Sequence, residues 1–112
     1  MSLTLKRITF FVNDLPASTS YFSDALGMRG SDIRNGWSAY KVTGKFEIAF
    51  HKGKGRKPRF EFVTSESLAI VREKMNKAGA KLEPVKKVSE NVSKCRGKDP
   101  EKNTIEIYST LG

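Results

Sequence analysis

A chain of 112 residues with 38% hydrophobic side chains, seven of them phenylalanine, holds enough apolar material for one packed domain and too much for a disordered chain. No apolar run approaches the roughly 20 residues that span a bilayer, and the opening MSLTLKR lacks an apolar signal-peptide core, so a cytoplasmic protein with no membrane attachment is expected. The net charge of +9 disfavours cationic ligands and favours phosphates, carboxylates or nucleic acid, and a lone cysteine, Cys95, leaves no intrachain disulfide.

In chain order, Leu5–Val12 alternates as a strand, with Arg7, Thr9 and Phe11 on one face and Ile8, Phe10 and Val12 on the other. Asn13-Asp14 offers a helix cap and Pro16 suits a first turn. Leu15, Phe22, Ala25 and Leu26 then recur at helical spacing, and Gly27 supplies the stop. Strands are predicted over Met28–Arg34, Trp37–Thr43 and Lys45–His51, separated by the turn signals Asn35-Gly36 and Gly44. The Gly-punctuated, charge-dense HKGKGRKPR cannot bury itself and reads as a solvated linker. It matches no phosphate-binding loop and has no interleaved aromatics.

The second half repeats the plan. Arg59–Thr64 reads as a strand, Ser65 as a cap, and Leu68, Val71, Met75 and Ala78 as one helical stripe ended by Gly79. Strands follow at Lys81–Val85, Val92–Gly97 and Thr104–Ser109, the last two joined by the turn KDPEKN. A shift of 52 positions pairs Arg7 with Arg59, Phe10 with Phe62 and Gly27 with Gly79; a shift of 59 pairs Phe46, Glu47 and Ile48 with Ile105, Glu106 and Ile107. Strand falls on strand and cap on cap, so the chain reads as two βαβββ modules of an α+β fold. These are module 1 at about 3–51, a linker at 52–58, and module 2 at about 59–110, all within a single domain.

At this point the sequence resembles the vicinal oxygen chelate superfamily, the glyoxalase/bleomycin-resistance/dioxygenase proteins. FFVNDLPASTSYFSDALGM is close to the family's strand–Asp-Leu–helix opening, DPEKNTIEI to its Asp-Pro-x-Gly-Asn-x-Ile-Glu ending, and NKAGA to its second helix end. The resemblance implies two curved sheets around a cleft, a homodimer, and chemistry that ranges from lyases and dioxygenases to pure binding proteins.

In metal-dependent relatives each module supplies one ligand from its first strand, commonly His, and one from its last, commonly Glu. Carried over, the last-strand positions fall on Glu47 and Glu106, and the first-strand positions on Arg7 and Arg59. A guanidinium has no lone pair to give a metal. The only histidine, His51, lies four residues beyond Glu47 on the same face, roughly 13 Å along the strand. No cofactor is therefore expected. A divalent metal on Glu47, His51 and Glu106 is the less favoured alternative, in a lyase or dioxygenase where Glu47 or Glu106 would be the catalytic base.

The favoured reading is a small, anionic molecule bound between the modules without metal, contacted by Arg7, Thr9, Phe11, Glu47, Arg59, Glu61, Glu106 and Tyr108. Ala49 lies on the same presumed inner face, and Trp37 or Tyr40 joins it depending on register. In this reading an Arg–Glu network stands where a metal would. A basic nucleic-acid-associated domain is a further, disfavoured alternative. Cys95, between Lys94 and Arg96, is a weak candidate for an activated thiol.

Overall fold

A computed structural model describes residues 3–110. They form nine strands and two α-helices, partitioned into two compact units: an N-terminal unit, Lys6–Pro58, and a C-terminal unit in which residues 3–5 join residues 59–110.

In the N-terminal unit, β1 (Thr4–Val12) leads into α1 (Leu15–Ser20), then β2 (Gly30–Arg34), β3 (Trp37–Thr43) and β4 (Phe46–Lys52). The sheet order is β2-β3-β4-β1, with antiparallel hairpins and a parallel β4–β1 pair. Asp14 caps α1 by accepting from the Ala17 amide at 3.0 Å, and Pro16 sits in the first turn, where its missing N–H costs nothing. The helix does not run evenly to Gly27. Tyr21–Ala25 widens into a π-helical turn, and at the junction the buried Tyr40 hydroxyl donates to the Thr19 carbonyl at 3.3 Å. Gly27 then takes φ +67, the left-handed conformation that ends the segment. The core beneath α1 is Leu15, Tyr40 and Phe50, closed by Val12, Phe22, Met28 and Ile48.

In the C-terminal unit, β5 (Arg59–Thr64) precedes α2 (Leu68–Lys77), followed by β6 (Lys81–Leu82), β7 (Lys86–Ser89), β8 (Val92–Lys98) and β9 (Thr104–Ser109). Here β5 pairs in parallel with β9, β9 with β8, and both β6 and β7 with the other edge of β8. The strand expected at Lys81–Val85 is thus broken after Leu82: Pro84 has no N–H for the ladder, and pairing resumes at Lys86. Strand–helix–three strands therefore holds in this unit with its second strand in two pieces. The helix starts after Ser67 rather than Ser65, because the Glu66 amide is taken by Thr64 Oγ1 at 3.1 Å, which holds residues 64–66 in a turn. Three residues of its stripe pack as expected, while Ala78 is the exposed C-cap: Leu68 and Val71 join Leu82, Cys95 and Ile107, with Phe62, Met75 and Ile105 around them.

Two local features fix the β8–β9 hairpin and the β6 edge. In the KDPEKN turn, Asp99 Oδ1 accepts from the Glu101 and Asn103 amides at 2.9 and 2.7 Å, and Lys102 takes φ +66. A Cβ on Gly97 would lie 2.7 Å from Leu82 Cα and closer still to the Lys81 carbonyl oxygen, so only glycine lets β6 approach β8.

Candidate functional site

Strand parity puts one face of each sheet under its helix and leaves the other to carry the polar residues. In the N-terminal unit the register builds that second face in three rows: Arg7–Glu47–Lys41, Thr9–Ala49–Ala39 and Phe11–His51–Trp37. The middle row is buried throughout. Register also settles which aromatic joins it: Trp37 does, whereas Tyr40 pairs with Ile48 and belongs to the core under α1.

Arg7 donates from Nε and Nη2 to Glu47 Oε1, at 3.1 and 2.8 Å, and Ser31 Oγ donates to Glu47 Oε2 at 2.6 Å. Burial pushes the Glu47 carboxyl up, but the Ser31 and Arg7 hydrogen bonds and the charges of Arg7 and Lys6 outweigh it and hold its pKa below the ordinary value. Cations also stack on this face. Arg7 and Arg34 lie 5.5 and 5.8 Å from the Trp37 ring centre, and Arg56 lies 4.1 Å from that of Phe11. His51 is ring-to-ring with both Phe11 and Trp37, at 5.7 and 6.3 Å, and its Nδ1 is 2.7 Å from the Lys52 carbonyl oxygen. The loop after β4 is no free linker: the Gly53 amide donates to the Val12 carbonyl at 2.9 Å, and Gly53 lies so close to Phe11 that a Cβ would be 3.0 Å from its ring.

The equivalent face of the C-terminal unit is built from the rows Arg59–Thr104–Lys98, Glu61–Glu106–Arg96 and Val63–Tyr108–Lys94. Glu61 and Glu106 are adjacent partners, only 2% and 1% exposed. Two carboxylates buried side by side repel, so each needs cations. Arg96 supplies one, donating from Nε to Glu106 Oε2 at 2.6 Å and ion-pairing with the same oxygen through Nη2, and the Tyr108 hydroxyl donates to Oε1. Arg59 Nε stands 3.6 Å from Glu61 Oε2. Burial raises the Glu106 pKa, but the Tyr108 and Arg96 hydrogen bonds and the Arg96 and Arg59 charges bring it below its ordinary value. Tyr108 moves the other way: burial, the bond to Glu106 and the charges of Glu106 and Glu61 push its hydroxyl well above the usual tyrosine range, against the charge of Arg59.

The register corrects the repeat. Arg7 faces Glu47 in the first unit, but Glu106 faces Glu61 in the second, while Arg59 sits two positions earlier opposite Thr104. The positional twin of Arg7 is therefore Glu61, not Arg59. A slide of two residues keeps every side chain on its own face, so alternation alone could not reveal it. Arg96 is the residue that sequence reasoning missed. The signal was present: alternation in Val92–Gly97, carried across the KDPEKN turn, sets Arg96 opposite Glu106. Nor is Cys95 an activated thiol. Burial raises its pKa, the Glu83 carbonyl accepts from its Sγ at 3.1 Å, and Arg96 is spent on Glu106 on the other face.

A metal does not fit these residues. Both oxygens of Glu47, and both of Glu106, already accept from side-chain donors of their own unit. Among the described residues no three His, Cys, Asp or Glu side chains form a ligand group.

Comparison with known proteins gives likeness of structure rather than of sequence. No family model and no curated protein matches the sequence. A glyoxalase/bleomycin resistance protein/dioxygenase superfamily member from Vibrio splendidus superposes over 96% of this chain and 99% of its own, with TM-score 0.73 and 14% identity. A catechol 2,3-dioxygenase superposes over 95% of this chain but 40% of its own, with TM-score 0.66 and 17% identity. For homoprotocatechuate 2,3-dioxygenase from Arthrobacter globiformis the shares are 93% and 34%, with TM-score 0.65 and 14% identity. The chain has the glyoxalase/bleomycin resistance/dioxygenase fold.

Proposed function

We propose that this protein binds a small anionic molecule without a metal ion. The observation that carries the reading is the state of the two last-strand glutamates. Each has both carboxylate oxygens occupied by donors of its own unit, so neither is poised to take a metal ion. Charge supports the same direction: residues 6–58 hold ten Lys and Arg against four Asp and Glu. The basic balance argues against a cationic glycopeptide as cargo. In this reading the protein works as a cytoplasmic homodimer, and Arg7, held in place by Glu47, contacts the anion as a ligand-binding rather than a catalytic residue.

The test is metal content together with binding. Protein purified without chelator or affinity column is expected to hold far less than one equivalent of Zn, Ni, Mn or Fe. After dialysis against EDTA it should still bind inorganic phosphate or acetate in calorimetry at low salt. Stoichiometric metal whose removal abolishes binding would overturn the proposal. Metal-dependent turnover lost in Glu106→Gln would establish the enzyme reading, a lyase or dioxygenase, in its place. Binding that appears only with mixed-sequence DNA or RNA, and falls steeply with salt, would show a nucleic-acid domain instead.

A further inference from the structure

We infer that the face of the N-terminal unit opposite α1 carries a subsite for a planar aromatic anion, an arenecarboxylate in chemical class, centred on Phe11, His51, Trp37 and Arg56. The inference deepens the proposed function and rests on it. Three aromatic rings lie in one cross-strand row, Phe11–His51–Trp37, and guanidinium groups lie against both ends of it. The rings are tilted by 59° and 70° to one another, so they do not close into a parallel stack, and His51 in the middle of the row is exposed.

Arg56 is the decisive group. It is exposed, its guanidinium is seated on Phe11, and among the described residues no carboxylate stands within ion-pair distance of it. A guanidinium presents its flat face to a ring and its N–H edge to a carboxylate at the same time, which an ammonium cannot do. The loop that carries it is held in place by the Gly53–Val12 bond and by the absence of a Cβ at Gly53, so Arg56 is presented on a fixed support. Trp37 also keeps a buried Nε1–H with no acceptor among the described residues, a donor that a bound oxygen would complete. A simple inorganic anion would use the arginines and leave the aromatic row unexplained. An arenecarboxylate uses both.

Trp37 is the only tryptophan in the chain, so its single indole N–H resonance reports on this row alone. Titration with 2-naphthoate is expected to shift that resonance saturably. Calorimetry should give naphthoate a Kd at least about tenfold lower than that of acetate or cyclohexanecarboxylate, a difference of about 1.4 kcal/mol. Arg56→Gln, on an exposed loop, should weaken naphthoate binding about tenfold with an unchanged melting temperature. Phe11→Leu should weaken naphthoate but not acetate; should it fail to fold, Arg56→Gln carries the test. Equal affinity for naphthoate and cyclohexanecarboxylate would overturn the inference and leave metal-free anion binding standing. Absence of binding to any of the three, and to phosphate, would overturn both. Displacement of naphthoate by oligothymidylate but not by thymidine monophosphate would show that the row serves a nucleic-acid strand, and would also overturn it.

Discussion

Glu106→Gln isolates the charge at the centre of the C-terminal sheet while keeping the shape of the side chain. The carboxylate is 1% exposed, accepts from Arg96 and Tyr108, and lies beside the equally buried Glu61. Hydrogen bonds to a charged acceptor contribute about 1.5–3 kcal/mol each and neutral ones about 0.5–1.5, so neutralising the acceptor costs about 1 kcal/mol per bond. Relief of desolvation and of repulsion from Glu61 returns part of that, leaving a loss of about 1–2 kcal/mol at pH 7. The sign with pH follows from the lowered Glu106 pKa. The unfolded carboxyl, near 4.5, binds its proton before the folded one does as pH falls. The stabilisation from Glu106 is therefore complete above about pH 4.5 and lost as pH drops through the folded value. Glu47, whose pKa is lowered too, is present in both proteins and cancels in the comparison. Urea unfolding of both proteins at pH 7, 5 and 3.5 should give a gap that is constant between the first two and shrinks at the third. A gap that stays level or widens at pH 3.5 would refute the reasoning, because it would mean that the folded carboxyl is not held ionised by Arg96 and Tyr108.

Three further outcomes follow from local geometry. Lys102→Gly should raise stability by about 0.5–1 kcal/mol in urea melts, since Lys102 sits at φ +66, where a side chain costs roughly 1–2 kcal/mol and glycine's extra chain entropy offsets only part of that. Gly97→Ala should lower stability by about 1–3 kcal/mol, because its Cβ would meet β6 backbone that cannot rotate away, and loss of amide-exchange protection should concentrate at Leu82 and Gly97. Cys95 should react with a neutral disulfide reagent only as the unit opens: its side chain is 2% exposed and its thiol pKa is raised, so the labelling rate should track unfolding and rise with urea.

Much of the fold was legible in the chain because it rests on contacts a few residues apart. Asp14 reaches the Ala17 amide, Gly27 and Gly79 take positive φ where their helices end, and Asp99 organises the last hairpin turn. Each is a short-range device written in residue type. The candidate site was legible only by face. Alternation put Arg7, Thr9, Phe11 and Glu47 together, and likewise Arg59, Glu61, Glu106 and Tyr108, and the strands keep those groupings. Which residue meets which was another matter. Glu61 rather than Arg59 faces Glu106, Arg96 rather than Arg59 holds it, and Pro84 divides a strand that hydrophobic pattern left whole.

By itself, then, the sequence determined the sum of charges, the element order, the caps and turns, and the face on which each strand residue stands. Those follow from dihedral preference, hydrogen-bonding side chains and period-2 geometry, all of which act locally. Only the tertiary structure decided register. A strand displaced by two residues, about 6.6 Å, satisfies every local rule equally well. The choice is made where whole strands pack: there Arg7 and Glu47 meet, Glu61 and Glu106 share one cluster of cations, and Arg56 comes to rest on Phe11.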